Sequence, residues 1–261
     1  MSIKTDLRED QIMKALLRRG SITIAELTDE LSMSAPSIRR DLTRLEDRGL
    51  VRRTHGGVTL VEPMLYEPFR HDTSFQAREI RFADEKRRIG YAAAEMVCQG
   101  ETIGLTAGTT TTQLGRALRH RREISVVTNA LNIGMELCNQ TAIRTTLTGG
   151  LLAWQWTFAM AGPAAIESIR DTYFDRLFLS ATGFDLERGV TTLEPEEAAV
   201  ARAMVSHATQ VVLVVDSSKI GVITPSRICP ATDIHLIITD TGLSPETCAE
   251  VEAAGIKLIL V

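Results

Sequence analysis

Apolar residues in the first sixty positions recur at helical spacing and then give way to a short alternating stretch. Leu7, Ile12, Leu16 and Leu17 make one stripe on a helix that Gly20 is placed to end. Thr23, followed three residues later by Glu26, is a capping box that opens a short helix carrying Ala25, Leu27 and Leu31. Ser32-Met33-Ser34 reads as a tight turn, after which Ser34 can cap a third helix with Pro36 in its first turn. Ile38, Leu42 and Leu45 form the core face of that helix, and Gly49 is placed to stop it. Val51-Arg52-Arg53 and Val58-Thr59-Leu60 flank His55-Gly56-Gly57, the pattern of a two-stranded wing around a glycine turn.

Pro63 and Pro68 then remove backbone donors, so residues 61–81 read as a linker. From residue 82 the pattern alternates between strand and helix. Strands are expected at 102–105, 125–128, 144–148, 177–180, 211–215, 236–239 and 257–260. Helices are expected at 85–98, 111–119, 130–138, 196–207 and 245–254. Such alternation predicts an α/β domain with a parallel or mixed sheet covered on both faces. The chain therefore divides into a winged helix-turn-helix at 1–60, the linker, and an α/β domain at 82–261.

With 44% hydrophobic and 24% charged residues, the composition is that of a globular protein. No apolar run approaches membrane-span length, and the first ten residues lack an apolar signal core, which points to a cytoplasmic protein with no membrane partner. Cys98, Cys138, Cys229 and Cys248 are scattered, with no CxxC and no His at ligand spacing; the expectation is buried free thiols, with no disulfide, metal or cofactor. The net charge of −4 is unevenly distributed. Residues 1–60 hold 11 Lys/Arg against 9 Asp/Glu, and the remainder 18 against 24. Between Pro36 and Gly57 there are six Arg and three acids, an asymmetry that suggests a nucleic-acid-binding end.

On the third helix Ser37, Arg40, Arg44 and Arg48 follow at three- and four-residue spacing, off the apolar stripe. A helix with one face in a core and an Arg-rich face outward can enter a major groove, where arginine reads guanine or anchors on phosphate. The candidate contacts to double-stranded DNA are Ser37, Arg39, Arg40 and Arg44 on the helix and Arg52, Arg53 and His55 on the wing. Charge alone is equally compatible with a solvated helix face; the capped helix, turn, Arg-faced helix and basic wing taken together favour DNA.

In the second domain, ETIGLTAGTTTTQLGRAL reads as strand, glycine-hydroxyl loop, helix, a form that presents backbone N–H groups to an anion at a helix N-terminus. An ordinary helix cap has the same appearance. Neither a GxGxxG nor a P-loop lysine signature is present, against dinucleotides and nucleoside triphosphates. Asn129, Gly150 and Lys219 each follow a predicted strand, where open α/β sheets bind ligands. With Gly108, Thr109, Thr110 and Thr111 they make the candidate effector site, although Lys219 alone would read as a solvated loop lysine.

MSAPSIRRDLTRLEDRGLVRRTHGGV resembles the signature of the DeoR family of regulators of sugar metabolism, with its Ile-Arg-Arg-Asp-Leu core and His-Gly-Gly wing. Ser37 stands where that family usually has Thr. EKRRIG, AGTTT, VTNALNIG, LTGG, DRLFLSATGFD (with Gly183) and DSSKIG extend the resemblance into the second domain. It implies a Rossmann-like α/β sensor domain related to ribose-5-phosphate isomerase, glucosamine-6-phosphate deaminase and the coenzyme A transferases. One departure stands out: Thr106-Ala107 replaces the Asp-Ser that commonly precedes Gly-Thr-Thr, leaving Glu194, Glu196 and Glu197 as candidate acceptors for sugar hydroxyls, although charges at a helix start are the simpler reading of all three.

The resemblance implies a DNA-binding regulator of carbohydrate-metabolism genes, a repressor relieved by a phosphorylated sugar or related metabolite. A single winged domain of modest charge is expected to need a homo-oligomer, dimer or tetramer, to select one site. The alternative is an isomerase- or deaminase-like enzyme with an accessory DNA-binding domain, for which Asp185, Glu194 and Glu196 are the candidate acid/base groups.

Overall fold

The computed structural model describes residues 3–47, 50–54, 56–60, 73–153 and 158–261. It divides into two compact units, Met1–Tyr66 and Glu67–Val261. Arg48, Gly49, His55, Pro63 and Pro68 lie outside the described residues.

The first unit runs α1 (Ile3–Arg19), β1 (Ser21–Thr23), α2 (Ile24–Leu31), α3 (Ala35–Asp47), β2 (Val51–Thr54) and β3 (Gly57–Leu60). Gly20, at φ +75°, turns the chain out of α1 and donates its N–H to the Leu16 carbonyl. The expected capping box is present: Thr23 Oγ1 accepts from the Glu26 N–H, and the Thr23 N–H donates to Glu26. Ile12, Leu16, Leu27, Ile38, Leu42 and Leu45 are buried together between the helices. Full burial of each such side chain contributes roughly 1.5–3 kcal/mol. The hairpin of β2 and β3 forms the wing, and β1 joins β3 antiparallel to make a three-stranded sheet.

The second unit opens with α4 (Thr73–Ile80), inside the segment expected to be a linker. It is tied down: Phe75 is buried edge-on against Phe158, and Glu79 pairs with Arg116 at 2.9 Å. There follow α5 (Ala83–Glu95), β4 (Thr102–Leu105), α6 (Thr109–Ala117), β5 (Ile124–Thr128), α7 (Leu131–Leu137) and β6 (Ile143–Leu147). Two short strands, β7 (Leu151–Ala153) and β8 (Ala159–Ala161), lead to α8 (Pro163–Ile169) and β9 (Phe174–Leu179). The chain ends through β10 (Gly183–Asp185), β11 (Gly189–Thr192), α9 (Pro195–Ser206), β12 (Ala208–Val214), β13 (Ser226–Cys229), β14 (Leu236–Thr239), α10 (Pro245–Ala253) and β15 (Lys257–Leu260).

All seven expected strands pair in one parallel sheet, ordered β15-β14-β12-β9-β4-β5-β6. The order reverses between β4 and β9: β5 and β6 continue to one side, β12, β14 and β15 to the other. In an open α/β sheet the loops diverge beyond the strand ends at that reversal and leave a crevice. A separate antiparallel sheet, β10-β11-β13, lies outside the main one. Among the described residues no helix is long and apolar enough to cross a membrane, and no cluster of three metal-ligating side chains occurs.

Candidate functional sites

In the first unit, α3 presents Arg39 and Arg40 to solvent, with Arg52 exposed on β2. The Ser37 hydroxyl lies 2.9 Å from that of Ser34. Arg44 departs from the expected reading face. Three residues beyond Asp41 on one side of α3, it binds Glu9 at 2.7 Å and also reaches Asp41. Asp41, fully buried, is held from the other side by Arg8 at 3.0 and 3.2 Å. These carboxylates hold the Arg8 and Arg44 guanidinium groups above their ordinary pKa, chiefly through the hydrogen bonds from Arg8 to Asp41 and from Arg44 to Glu9. Arg44 therefore ties α3 to α1. Arg53 is likewise engaged: its guanidinium donates to the Arg39 carbonyl at 2.8 Å and to Thr43, and pairs with Glu46 at 3.2 Å, which fastens the wing to α3.

In the second unit the crevice between β4 and β9 is a cleft. Its lining comes from the loop after β4 (Thr106–Thr109), from Asn129 after β5, Ser180–Thr182 after β9, and Asp216 and Lys219 after β12. Gly108 is the N-cap of α6 and offers no side-chain cap; the first-turn amides have no intrahelical acceptors, and Gly108 and Thr109 at the start of this turn line the cleft. The glycine is required sterically: a Cβ there would lie 2.3 Å from Ser180 Oγ and 2.6 Å from Ser180 Cβ. Lys219 makes no ion pair among the described residues.

Of the expected effector residues, Gly108, Thr109, Asn129 and Lys219 line the cleft. Thr110 and Thr111 do not. Both are buried, and the Thr111 and Thr112 hydroxyls turn back to the Gly108 carbonyl at 3.1 and 2.7 Å. Serine and threonine near a helix start often satisfy themselves this way, and the hydroxyl is then unavailable to a ligand. Asn129 acts on the loop: its Oδ1 accepts from the Ala107 N–H at 2.9 Å and its amide donates to the Met160 carbonyl at 3.3 Å. Gly150, at φ +105°, packs where a Cβ would lie 2.5 Å from the Ala161 carbonyl oxygen, outside the cleft lining.

The structure adds Arg78, Arg81, Lys86 and Asp216 to the lining. Lys86 occupies the buried face of α5, in register with Ile89, Gly90 and Ala93. A charged residue on an apolar stripe was the signal available in the sequence. Burial lowers its ammonium to about 8, against the opposing pull of the Asp216 carboxylate 3.9 Å away. Glu197 is the one of the three glutamates considered that reaches the cleft. Asp185, Glu194 and Glu196 are absent from the lining, and Asp185 Oδ1 instead accepts the N–H groups of Glu187 and Arg188 in a turn. The three acid/base candidates considered from the sequence are thus not among the lining residues.

The four cysteines are free. Cys98 and Cys138 are exposed, contrary to expectation, because each follows the end of a helix at the surface. Cys229 is buried, which pushes its thiol up to about 12.

An Arg-bearing helix with a wing, joined in one chain to a doubly wound α/β domain, is the architecture of a DNA-binding transcription regulator. Residues 8–64 match the family model described as DeoR-like helix-turn-helix domain, and residues 81–241 that described as DeoR C terminal sensor domain. The HTH-type transcriptional regulator GlpR of Haloferax volcanii is 34% identical over 97% of this chain and 96% of its own. The transcriptional repressor AccR of Agrobacterium fabrum is 33% identical over 91% of this chain and 90% of its own. Among solved structures, ribose 5-phosphate isomerase A from Methanocaldococcus jannaschii aligns with 53% of this chain and 55% of that one, at 17% identity and a TM-score of 0.39. This chain belongs to the DeoR family; it is a DNA-binding transcriptional regulator and not an enzyme.

Proposed function

We propose that the chain represses carbohydrate-metabolism genes and releases its operator when a phosphorylated sugar or related metabolite enters the cleft between β4 and β9. The observation that carries this reading is the convergence of the uncapped N-terminus of α6 with the Lys219 ammonium in one cleft. A phosphate there would accept from backbone N–H groups at the positive end of a helix dipole and meet a fixed counter-charge. Glu197 and Asp216 supply carboxylates for sugar hydroxyls, in place of the acid missing at Thr106-Ala107.

On the DNA side the contacts are Arg39, Arg40 and Arg52, with Ser37 at the helix start; Arg44 and Arg53 hold the reading surface in shape. Binding as a dimer or tetramer would place paired α3 helices on repeated half-sites. Effector and operator would each weaken the other by the same factor, as linkage requires. The test is a thermal-shift panel of sugars and their phosphates. A phosphorylated ligand at a hundred times its Kd stabilises the protein by about 2.7 kcal/mol. Equal shifts from the unphosphorylated sugars would refute a phosphate site.

A further inference from the structure

We propose that the end of α4 together with the turn into α5, residues 78–82, is the effector-responsive element of the second unit, with Arg81 as a further anion-binding residue and Lys86 as the positioning residue that holds this segment against the cleft. This rests on the cleft being the phosphate site.

Arg78, Arg81 and Phe82 themselves line the cleft. Arg81 is exposed, its guanidinium lies over the Phe82 ring at 5.1 Å, and it makes no ion pair among the described residues. A planar guanidinium in that position suits bidentate contact with a phosphate. Lys86 is not spare for a ligand. Its Nζ donates to the carbonyl oxygens of Arg78 and, at 2.6 Å, Arg81, and its remaining charge faces Asp216. Two of the three ammonium donors are committed to these carbonyls, and the Asp216 carboxylate lies at ion-pair distance, 3.9 Å. Lys86 thus clasps the end of α4 to the floor of the cleft.

The turn is held in a conformation that it would not adopt unaided. Phe82 has φ +57°, the left-handed region that an L residue reaches at a cost of roughly 1–2 kcal/mol. A segment of this kind persists only while its surroundings over-determine it, which makes it sensitive to added contacts. α4 is coupled to the cleft by a second route. Phe75 packs on Phe158, and Met160, two residues on, exchanges hydrogen bonds with Asn129, which in turn holds the Ala107 amide. α4 is the first described element after the wing in chain order.

Hydrogen exchange on the full chain tests this, with inorganic phosphate and glucose 6-phosphate as probes. In the wild type, ligand should slow exchange at residues 106–112 and also at 74–82. Arg81→Ala, a change at an exposed side chain, should keep the first protection, lose the second and weaken binding about tenfold. Lys86→Met should exchange rapidly at 74–82 without ligand while 106–112 stay as in the wild type; if it does not fold, Arg81→Ala decides alone. Protection at 106–112 with 74–82 unchanged would overturn the proposal and leave the phosphate site standing. So would wild-type affinity and turn protection in Arg81→Ala. Protection at neither segment in the wild type would overturn the phosphate site itself, and this proposal with it.

Discussion

Gly108→Ala isolates the steric requirement at the centre of the cleft. The backbone is no obstacle, since φ of 163° is extended and open to alanine. The obstacle is Ser180, whose Oγ and Cβ would stand 2.3 and 2.6 Å from the new methyl. Comfortable carbon contacts lie near 3.5–4.0 Å, so the loop or the end of β9 must give by about 1 Å. Overpacking of this size costs roughly 1–3 kcal/mol. For a unit of this length, about 2 kcal/mol corresponds to a fall in Tm of about 4–8 °C. The same displacement moves the α6 amides off their line to the ligand, so phosphate-induced stabilisation should drop with it. Calorimetry with and without ligand reads both quantities. Gly108→Ala/Ser180→Gly removes the clash and should recover most of the stability, a coupling that a double-mutant cycle measures directly. Equal stability and equal ligand response in wild type and Gly108→Ala would refute the close approach. Failure of the double variant to recover would place the cost elsewhere.

Other expectations follow from the same geometry. Arg40→Ala should weaken specific operator binding by about 1–3 kcal/mol in a gel-shift titration without changing the melting curve. Arg44→Ala should instead lower the melting temperature of the first unit, because Glu9 and buried Asp41 lose a shared partner; an unchanged melt with lost operator affinity would return Arg44 to the reading face. A thiol reagent should label Cys98 and Cys138 quickly in the native protein, and Cys229 only on unfolding, since burial holds its thiol up to about 12 and keeps the reactive thiolate scarce. Light scattering should find a dimer or tetramer both free and on DNA.

What could be read from the chain beforehand divides along physical lines. Local rules carried the capping box at Thr23 and Glu26, the Ile38/Leu42/Leu45 stripe and all seven strands of the parallel sheet, because turn chemistry and periodicity are written within a few residues. The short β10, β11 and β13 strands lack a run long enough to show period two. α4 was hidden by its two-turn length and by the prolines before it; its order comes from Phe75 against Phe158 and Glu79 against Arg116, partners 83 and 37 residues away. The engagement of Arg44 is hidden for the same reason. Its spacing from Arg40 is local and visible, whereas its bond to Glu9, 35 residues earlier, is not. At the cleft, Gly108, Thr109, Asn129 and Lys219 were identified from strand ends, but which hydroxyls turn inward depends on hydrogen bonds closed only in the fold. Lys86 was legible as a lysine on an apolar stripe, although its partners were not.

The most direct test joins the two units through their ligands. An operator fragment selected by the protein from random duplex DNA is titrated by fluorescence anisotropy, with and without the sugar phosphate that gives the largest thermal shift. Wild type and Lys219→Ala are compared at one salt concentration, because phosphate contacts make affinity steeply salt-dependent. The expected result is that ligand weakens wild-type operator binding, while Lys219→Ala binds DNA as the wild type does and no longer responds. An undiminished response in Lys219→Ala would contradict the assignment of the cleft as the sensing site.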